Sequence, residues 1–433
     1  MKSRYELYLI ILSVILTSLA HFEIYYSAFL TGDFISSPLF IRNISIMLLF
    51  LIVYVVLKVM KFRGNYIPLI AVSFLTGICL SLNYRFVLSS PSARLFSTFI
   101  ISLIIGILSI PIIIFYFRNN RVAKLKRRYY LLFGITIFCL FVWSVISNII
   151  GERFLFSRTP WELAKIPIVF VIAGFLSEYS IIFVKKKNLF VLILIIICPI
   201  LFLWIIPQMF FVAMGDLGQI VIFSLFILFL FFAVSEKFVY FFGGFSFIFF
   251  IIYIIPFLCR FLPEYAVERF EIWSDFWNGF PSTEWFSIIY QPLNSLFAVH
   301  SGGLFGAGFG MGYPELIPKS GTDFVYSVLA EEIGFVGTFS LIVIYFSLLI
   351  SGLITGFKCS DNFVRYSVLG FSIIIGVQTF VNIAGVINLI PLTGIPLPFL
   401  SKGGFAYLTF SFMVGFIMSA SKMENFNHPE CSG

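Results

Sequence analysis

Long apolar runs alternate with short polar connections along almost the whole chain. Runs of spanning length fall at 7–30, 44–61, 66–88, 94–117, 129–150, 160–183, 189–206, 217–235, 238–258, 323–357, 363–389 and 396–420. Each is near or above the roughly 20 residues that a helix needs to cross a bilayer. The pattern predicts an all-α polytopic membrane protein of about twelve transmembrane helices. The run at 323–357 is long for one span and predicts tilt or extension beyond the bilayer. The first run is too long for a signal-peptide core and lacks a small-residue cleavage site, so it reads as a retained helix.

Charge orients these runs. Lys2/Arg4, Lys58/Lys61/Arg63, the stretch from Arg118 to Arg128, Lys185-Lys186-Lys187, Lys237, Lys358/Arg365 and Lys422 fall on one side if every run crosses once. That side is cytoplasmic by the positive-inside rule, which puts both termini inside. Arg42, Arg85 and Arg94 are minor exceptions. The largest external segment is 259–322. Beyond Arg260 it sets Arg269 and Lys319 against Glu264, Glu268, Glu271, Asp275, Glu284 and Glu315. Its aromatic residues, among them Trp273, Trp277 and Trp285, suit short helices in the headgroup layer or an ordinary aromatic belt.

Composition agrees. The chain of 433 residues is 60% hydrophobic and 11% charged, too apolar for a soluble fold of this length. The formal charge of +8 sits in short connections and implies no nucleic-acid partner. The 59 phenylalanines suit lipid-facing surfaces, or a coding bias. The six cysteines are scattered singly, so neither a disulfide framework nor a zinc site is indicated. Three parts follow: N-terminal transmembrane helices over 1–128, a transmembrane core over 129–424 that contains the external loop, and a cytoplasmic tail over 425–433.

Four outward segments hold polar residues that lipid would not retain for packing alone. In the stretch 291–337, Asp323 stands where a polar, glycine-studded loop enters an apolar helix. An aspartate at a helix centre costs roughly 2.5–3.5 kcal/mol on insertion scales. Asp323 is therefore a functional candidate, with helix capping as the competing reading. Glu331 and Glu332 follow within the same helix and are either functional or turned to a polar interior. A second segment carries Arg153, Arg158 and Pro160-Trp161-Glu162-Leu163-Ala164-Lys165, in which Glu162 and Lys165 lie on one helix face and can pair. The third, Gly215-Asp216-Leu217-Gly218-Gln219, reads best as an N-cap at Asp216. The fourth, 391–404, has three prolines in eight residues, irregular backbone of the kind tolerated only inside protein or beside a water-filled cavity.

These segments together resemble the SEDS family (shape, elongation, division and sporulation), the FtsW/RodA type. Tyr290-Gln291, Ser295-Leu296, the Gly302-Gly303 turn, Thr322-Asp323-Phe324 and Glu331-Glu332-Ile333-Gly334 follow its ordered pattern. The stretch from Pro391 through Pro396, Pro398 and Ser401 to Gly403-Gly404 is similar to its proline-rich signature, and Gln378 with Asn382 to its Q-x-x-x-N. Departures mark a divergent member. Gly321 stands where the family usually has His, Lys402 where it usually has Tyr, Trp161 where it usually has Ser, and Phe154 where it usually has Trp. Five runs precede the PWELAK segment where the family commonly has three, which implies two extra N-terminal helices.

The resemblance implies a peptidoglycan glycosyltransferase that polymerises lipid II at the outer face of the bacterial cytoplasmic membrane. It implies Asp323 as general base, or as ligand of an assisting divalent cation (Mg2+ or Mn2+). Arg153, Lys165 and Lys402 become pyrophosphate-binding cations, with Glu162 orienting Lys165. Gln291 and Ser295 become substrate-side residues, and Gly302, Gly303, Glu332, Pro396, Pro398, Gly403 and Gly404 the structural motif. A class B penicillin-binding transpeptidase and membrane lipids are the implied partners. A lipid II flippase and a non-catalytic scaffold are the alternatives.

Overall fold

The computed structural model describes residues 2–31, 37–89, 93–117, 121–150, 160–184, 198–235, 242, 267, 269–273 and 286–424. They form helices joined by short connections. The elements are α1 (Lys2–Thr31), α2 (Ser37–Val59), α3 (Ile67–Ser89), α4 (Ala93–Phe117), the short α5 (Arg121–Lys126), α6 (Tyr129–Ile150), a 3-10 turn (Pro160–Ala164), α7 (Lys165–Val184), α8 (Cys198–Ala213), α9 (Leu217–Ser235), α10 (Phe286–Ser301), α11 (Val325–Lys358), α12 (Asn362–Val386) and α13 (Gly404–Glu424). Eight are long and apolar enough to cross a membrane, and two shorter apolar helices lie at Tyr129–Val145 and Pro199–Ala213. The chain is a multi-pass membrane protein. Most of the run expected at 238–258 lies outside the described residues.

The most enclosed of the eight is α12. It packs against α11, α7, α9 and α13, while α13 lies along α4 and α1 along α3. Its start is fixed by Asp361, whose carboxylate accepts from the N–H groups of Phe363 (2.8 Å) and Val364 (3.1 Å) and so satisfies two of the helix's orphan donors. Around it the phenylalanines are core as well as lipid surface. Phe170 of α7 meets Phe371 of α12 and Phe416 of α13 edge-on at 5.1 and 5.2 Å, the arrangement that ring quadrupoles favour.

Three boundaries differ from the hydropathy reading, and each has a local cause. The run at 160–183 opens as a 3-10 turn and becomes α-helix only at Lys165. The run at 396–420 begins as irregular backbone, and α13 starts at Gly404 beyond the prolines, which lack the N–H a helix needs. The stretch read as opening in a polar loop at Gln291 instead continues a helix, α10, whose apolar side packs on α11.

The long helix α11 is broken. Gly334 has φ 63° and ψ −169°, a conformation that opens the helical ladder. The freed groups do not go unpaired. The carbonyls of Glu331 and Glu332 accept from Ala307 and Gly308, both at 2.9 Å. Phe335 and Val336 donate to the carbonyls of Gly303 (2.9 Å) and Leu304 (3.1 Å). The glycine-rich segment after α10 is thus the plug of a broken helix, as backbone in an apolar medium requires. Gly302 sits so close that a Cβ there would collide with the Ala330 carbonyl.

The candidate active site

Two loops build the site, 317–324 before α11 and 387–403 before α13. The first winds around one carbonyl. Lys319, at φ 56°, presents its oxygen to the N–H groups of Thr322 (3.0 Å), Asp323 (3.2 Å) and Phe324 (3.4 Å). The second is stapled onto it. Ser401 Oγ accepts from Leu397 N–H at 2.7 Å and donates to the Thr322 carbonyl at 2.5 Å. Lys402 N–H donates to Gly321 O at 2.9 Å. From α12, Asn382 Nδ2 donates to the carbonyls of Asp323 (3.0 Å) and Ile395 (2.6 Å). The backbone of Asp323 is therefore held on both sides.

Its side chain does not cap α11. The N-cap of α11 is Phe324, with no side-chain cap bond, so the capping reading of Asp323 is corrected. The carboxylate is half-buried, 15% exposed, with Lys319 Nζ at 3.9 Å from Oδ2. Across Gly394 (φ 68°) stands Arg269, a residue that the sequence offered only as part of a charge tally. The place a Cβ on Gly394 would fill is 3.7 Å from Asp323 Oδ2 and 3.7 Å from Arg269 Nη2.

Lys402 lies on the same loop. Its stem crosses the face of Gly321, where a Cβ would approach its Cδ to 3.0 Å. Its ammonium stands 4.0 Å over the Phe86 ring, a cation–π contact. Partial burial lowers its pKa to about 8. Two departures that read as separate in the sequence, Gly at 321 and Lys at 402, are thus in contact: the missing side chain makes the seat for the lysine.

Glu162 and Lys165 are elsewhere. They form a buried pair at 2.6 Å, with side chains 2% and 0% exposed. Lys165 Nζ also donates to Gln378 Oε1 at 2.6 Å, and Gln378 Nε2 donates to Pro396 O at 2.9 Å. Gln219 Nε2 donates to the other Glu162 oxygen at 2.7 Å. Asp216 caps α9 through Gln219 N–H (3.2 Å), as its sequence suggests, and takes Trp161 Nε1 at 2.7 Å on its other oxygen. Burial and the nearby Glu162 charge raise the Asp216 pKa. This network ties α7, α9 and α12 together and supports the loop from beneath.

The remaining motif residues divide the same way. Ser295 is enclosed, bonded to Ser327 Oγ (2.6 Å) and the Val386 carbonyl (3.0 Å). Glu332 pairs with Arg85 at 3.2 Å, and Arg85 reaches Gly312 O at 2.5 Å. Pro398 offers its carbonyl to the Tyr345 hydroxyl. Gly404 abuts Ser102 of α4, and Gly403 lies over Ala406. Gln291 is half-buried on α10. Arg153 lies outside the described residues.

Comparison with known proteins agrees with this layout. The family model described as cell cycle protein, that of FtsW, RodA and SpoVE, matches residues 62–426. The match begins after α1 and α2. Mycobacterium leprae has a protein named peptidoglycan glycosyltransferase RodA that is 35% identical over 151 residues, 35% of this chain and 31% of that one. Bacillus subtilis has one named probable peptidoglycan glycosyltransferase FtsW, 37% identical over 147 residues, 34% of this chain and 35% of that one. The matched stretch thus spans about a third of these relatives. Among solved structures, a chain of a peptidoglycan synthase complex that coordinates polymerization and crosslinking superposes with TM-score 0.62 at 19% identity, over 84% of this chain and 98% of that one. The rod shape determining protein RodA of Thermus thermophilus gives 0.53 at 20% identity, over 83% and 97%. These two likenesses concern the fold. With the family model matching from the end of α2 to the tail, this chain belongs to the FtsW/RodA/SpoVE family.

Proposed function

We propose that this protein is a peptidoglycan glycosyltransferase. It would polymerise lipid II into glycan strands at the outer face of the bacterial cytoplasmic membrane, for division or elongation, with both termini inside. The observation that carries the reading is Asp323: a motif carboxylate with a fixed backbone, no capping duty and partial exposure beside a cation. The names of the relatives support the same chemistry.

The reaction joins the acceptor's sugar hydroxyl to C1 of the donor. The hydroxyl oxygen attacks C1 while its proton passes to Asp323, and the C1–O bond to pyrophosphate breaks with its electron pair leaving on the phosphate oxygen. General-base help of this kind contributes about 10²–10⁴-fold. Lys319 supplies positive charge near the carboxylate, and Lys402 and Arg153 remain proposed pyrophosphate contacts. Glu162 and Lys165 act at one remove, by holding the floor of the loop. No group of three or more His, Cys, Asp or Glu side chains stands together among the described residues. Asp323 is the residue that would hold a Mg2+ or Mn2+, which would supply charge neutralisation there. A class B penicillin-binding transpeptidase is the proposed partner.

The test is purified protein with lipid II, with and without that partner, scored for glycan polymer on a gel. Polymer is the expected result. Transbilayer movement of labelled lipid II without polymer would replace the enzyme by a flippase. Partner binding with neither activity would leave a scaffold.

A further inference from the structure

Arg269 lies in a short helical piece, 269–273, of the large external segment. Two side chains hold that piece to the loop before α13. Arg269 Nη1 donates to the carbonyls of Thr393 (3.2 Å) and Leu392 (3.5 Å), and Trp273 Nε1 donates to Asn388 O at 3.1 Å. The carbonyls engage one end of the guanidinium. Among the described residues, Nη2 and Nε donate to no protein group. The position that a Cβ on Gly394 would fill lies 3.7 Å from Nη2 and 3.7 Å from Asp323 Oδ2. A guanidinium edge that donates to no described protein group and a carboxylate thus approach one spot beside Gly394.

We propose that Arg269 binds the diphosphate of the lipid-linked donor, and so positions its C1 against the acceptor hydroxyl held by Asp323. The inference rests on the glycosyltransferase reading for its substrate, though diphosphate binding can be measured without turnover. Asp323 alone would repel a diphosphate. A guanidinium at the same spot offsets that repulsion and offers two parallel N–H groups to phosphate oxygens, which an ammonium does not. When the C1–O bond breaks, the added charge falls on the oxygen nearest Arg269. Latching by two carbonyls and Trp273 fixes the fork before substrate arrives, the preorganisation that makes such charge effective.

The test uses the full chain and three variants, Arg269→Gln, Arg269→Lys and Trp273→Phe. Farnesyl pyrophosphate in detergent is the binding probe, and polymer formed against lipid II concentration gives kcat and KM. Charge-assisted bonds predict that Arg269→Gln weakens farnesyl pyrophosphate binding about 10- to 100-fold. Arg269→Lys should recover part of that loss, and Trp273→Phe should stay within about 3-fold of the parent, the size of one neutral hydrogen bond. Unchanged probe affinity in Arg269→Gln would overturn the proposal. So would equal losses in Arg269→Gln and Trp273→Phe, which would make Arg269 a latch only. If the parent chain makes no polymer but the variants separate in probe affinity, the glycosyltransferase reading fails and the diphosphate site stands.

Discussion

Two polar clusters share the loop before α13 as a wall. On one side Trp161, Glu162, Lys165, Asp216, Gln219 and Gln378 form a network with Lys165 and Glu162 almost wholly enclosed. On the other, Asp323, Lys319 and Arg269, with Lys402 on the same loop, are half-buried or more open, and among the described residues Arg269 Nη2 and Nε donate to no protein acceptor. The residue types are alike. Burial and saturation separate them: the first cluster has spent its donors on protein, and the second has not. An enclosed ion pair with every partner in place specifies geometry rather than chemistry, because removing one member strands the other charge. The open cluster can change protonation or take up a ligand without dismantling a core.

The sharpest way to break this contrast is Asp323→Asn. Asparagine keeps the size and the hydrogen-bonding capacity but takes up no proton. Polymer per folded molecule is expected to fall at least about 10²-fold, the low end of general-base effects, at unchanged melting temperature. A collapsed melting temperature in this variant would move Asp323 into the structural cluster.

The converse holds for Lys165. Lys165→Met leaves Glu162 charged and without its ammonium, which for a buried pair costs about 3–5 kcal/mol. Thermal unfolding should register that loss, and the double variant with Glu162→Gln should recover a large part of it. Equal stability of single and double variants would show that the two residues do not depend on each other.

A smaller effect tests the glycine plug. Gly302→Ala drives a Cβ into the Ala330 carbonyl, and overpacking of this kind costs about 1–3 kcal/mol. The neighbouring Gly303→Ala meets nothing within 4 Å and bears only the strain of φ 52°, of order 1 kcal/mol. Reversed ranks in melting temperature would mean that the loop does not dock on the break of α11.

Much of this was legible before any coordinates. The helical, multi-pass architecture followed from hydropathy, though not the count of twelve, and the Asp216 cap followed from its place ahead of an apolar run. Asp323 stood out as a candidate because a charge is kept where lipid disfavours it. What escaped has one physical reason: it depends on which distant segments touch. Glycines at 302–312 could equally serve a ligand or a turn, and only the Gly334 kink explains the tight approach of Gly302 and Gly306. Glu162 and Lys165 were visible as a pair, but their enclosure depends on Gln378, 213 residues away. Arg269 carried no local signal, since an arginine in an acidic external segment reads as solvated surface. The run of helix over 286–301 was obscured by Gln291, Pro292, Asn294 and Ser295, polar or helix-breaking residues that α11 and nearby carbonyls accommodate.

Lys402 gives the finest test, because it is packed and partly exposed at once. Its stem is packed on Gly321 and its ammonium on Phe86, yet it keeps partial exposure. Burial depresses its pKa to about 8, so it is charged at pH 7 and loses that charge as pH rises through 8. If the ammonium assists a pyrophosphate, activity should show an alkaline limb near that value. Lys402→Arg keeps its proton far above this range and should remove the limb, although the larger head loses part of the seat over Gly321. Lys402→Met should be slower by about 3- to 10-fold at pH 7, in line with roughly 1 kcal/mol for a partly exposed charge contact, and flat between pH 7 and 9. Stability moves the other way. A lysine with a lowered folded pKa is protonated more readily when unfolded, so the folded state gains between pH 8 and the ordinary lysine range near 10.4. Falling activity with steady or rising melting temperature over that interval would place Lys402 among the open cations. Activity and stability falling together would assign the limb to unfolding and return Lys402 to the scaffold.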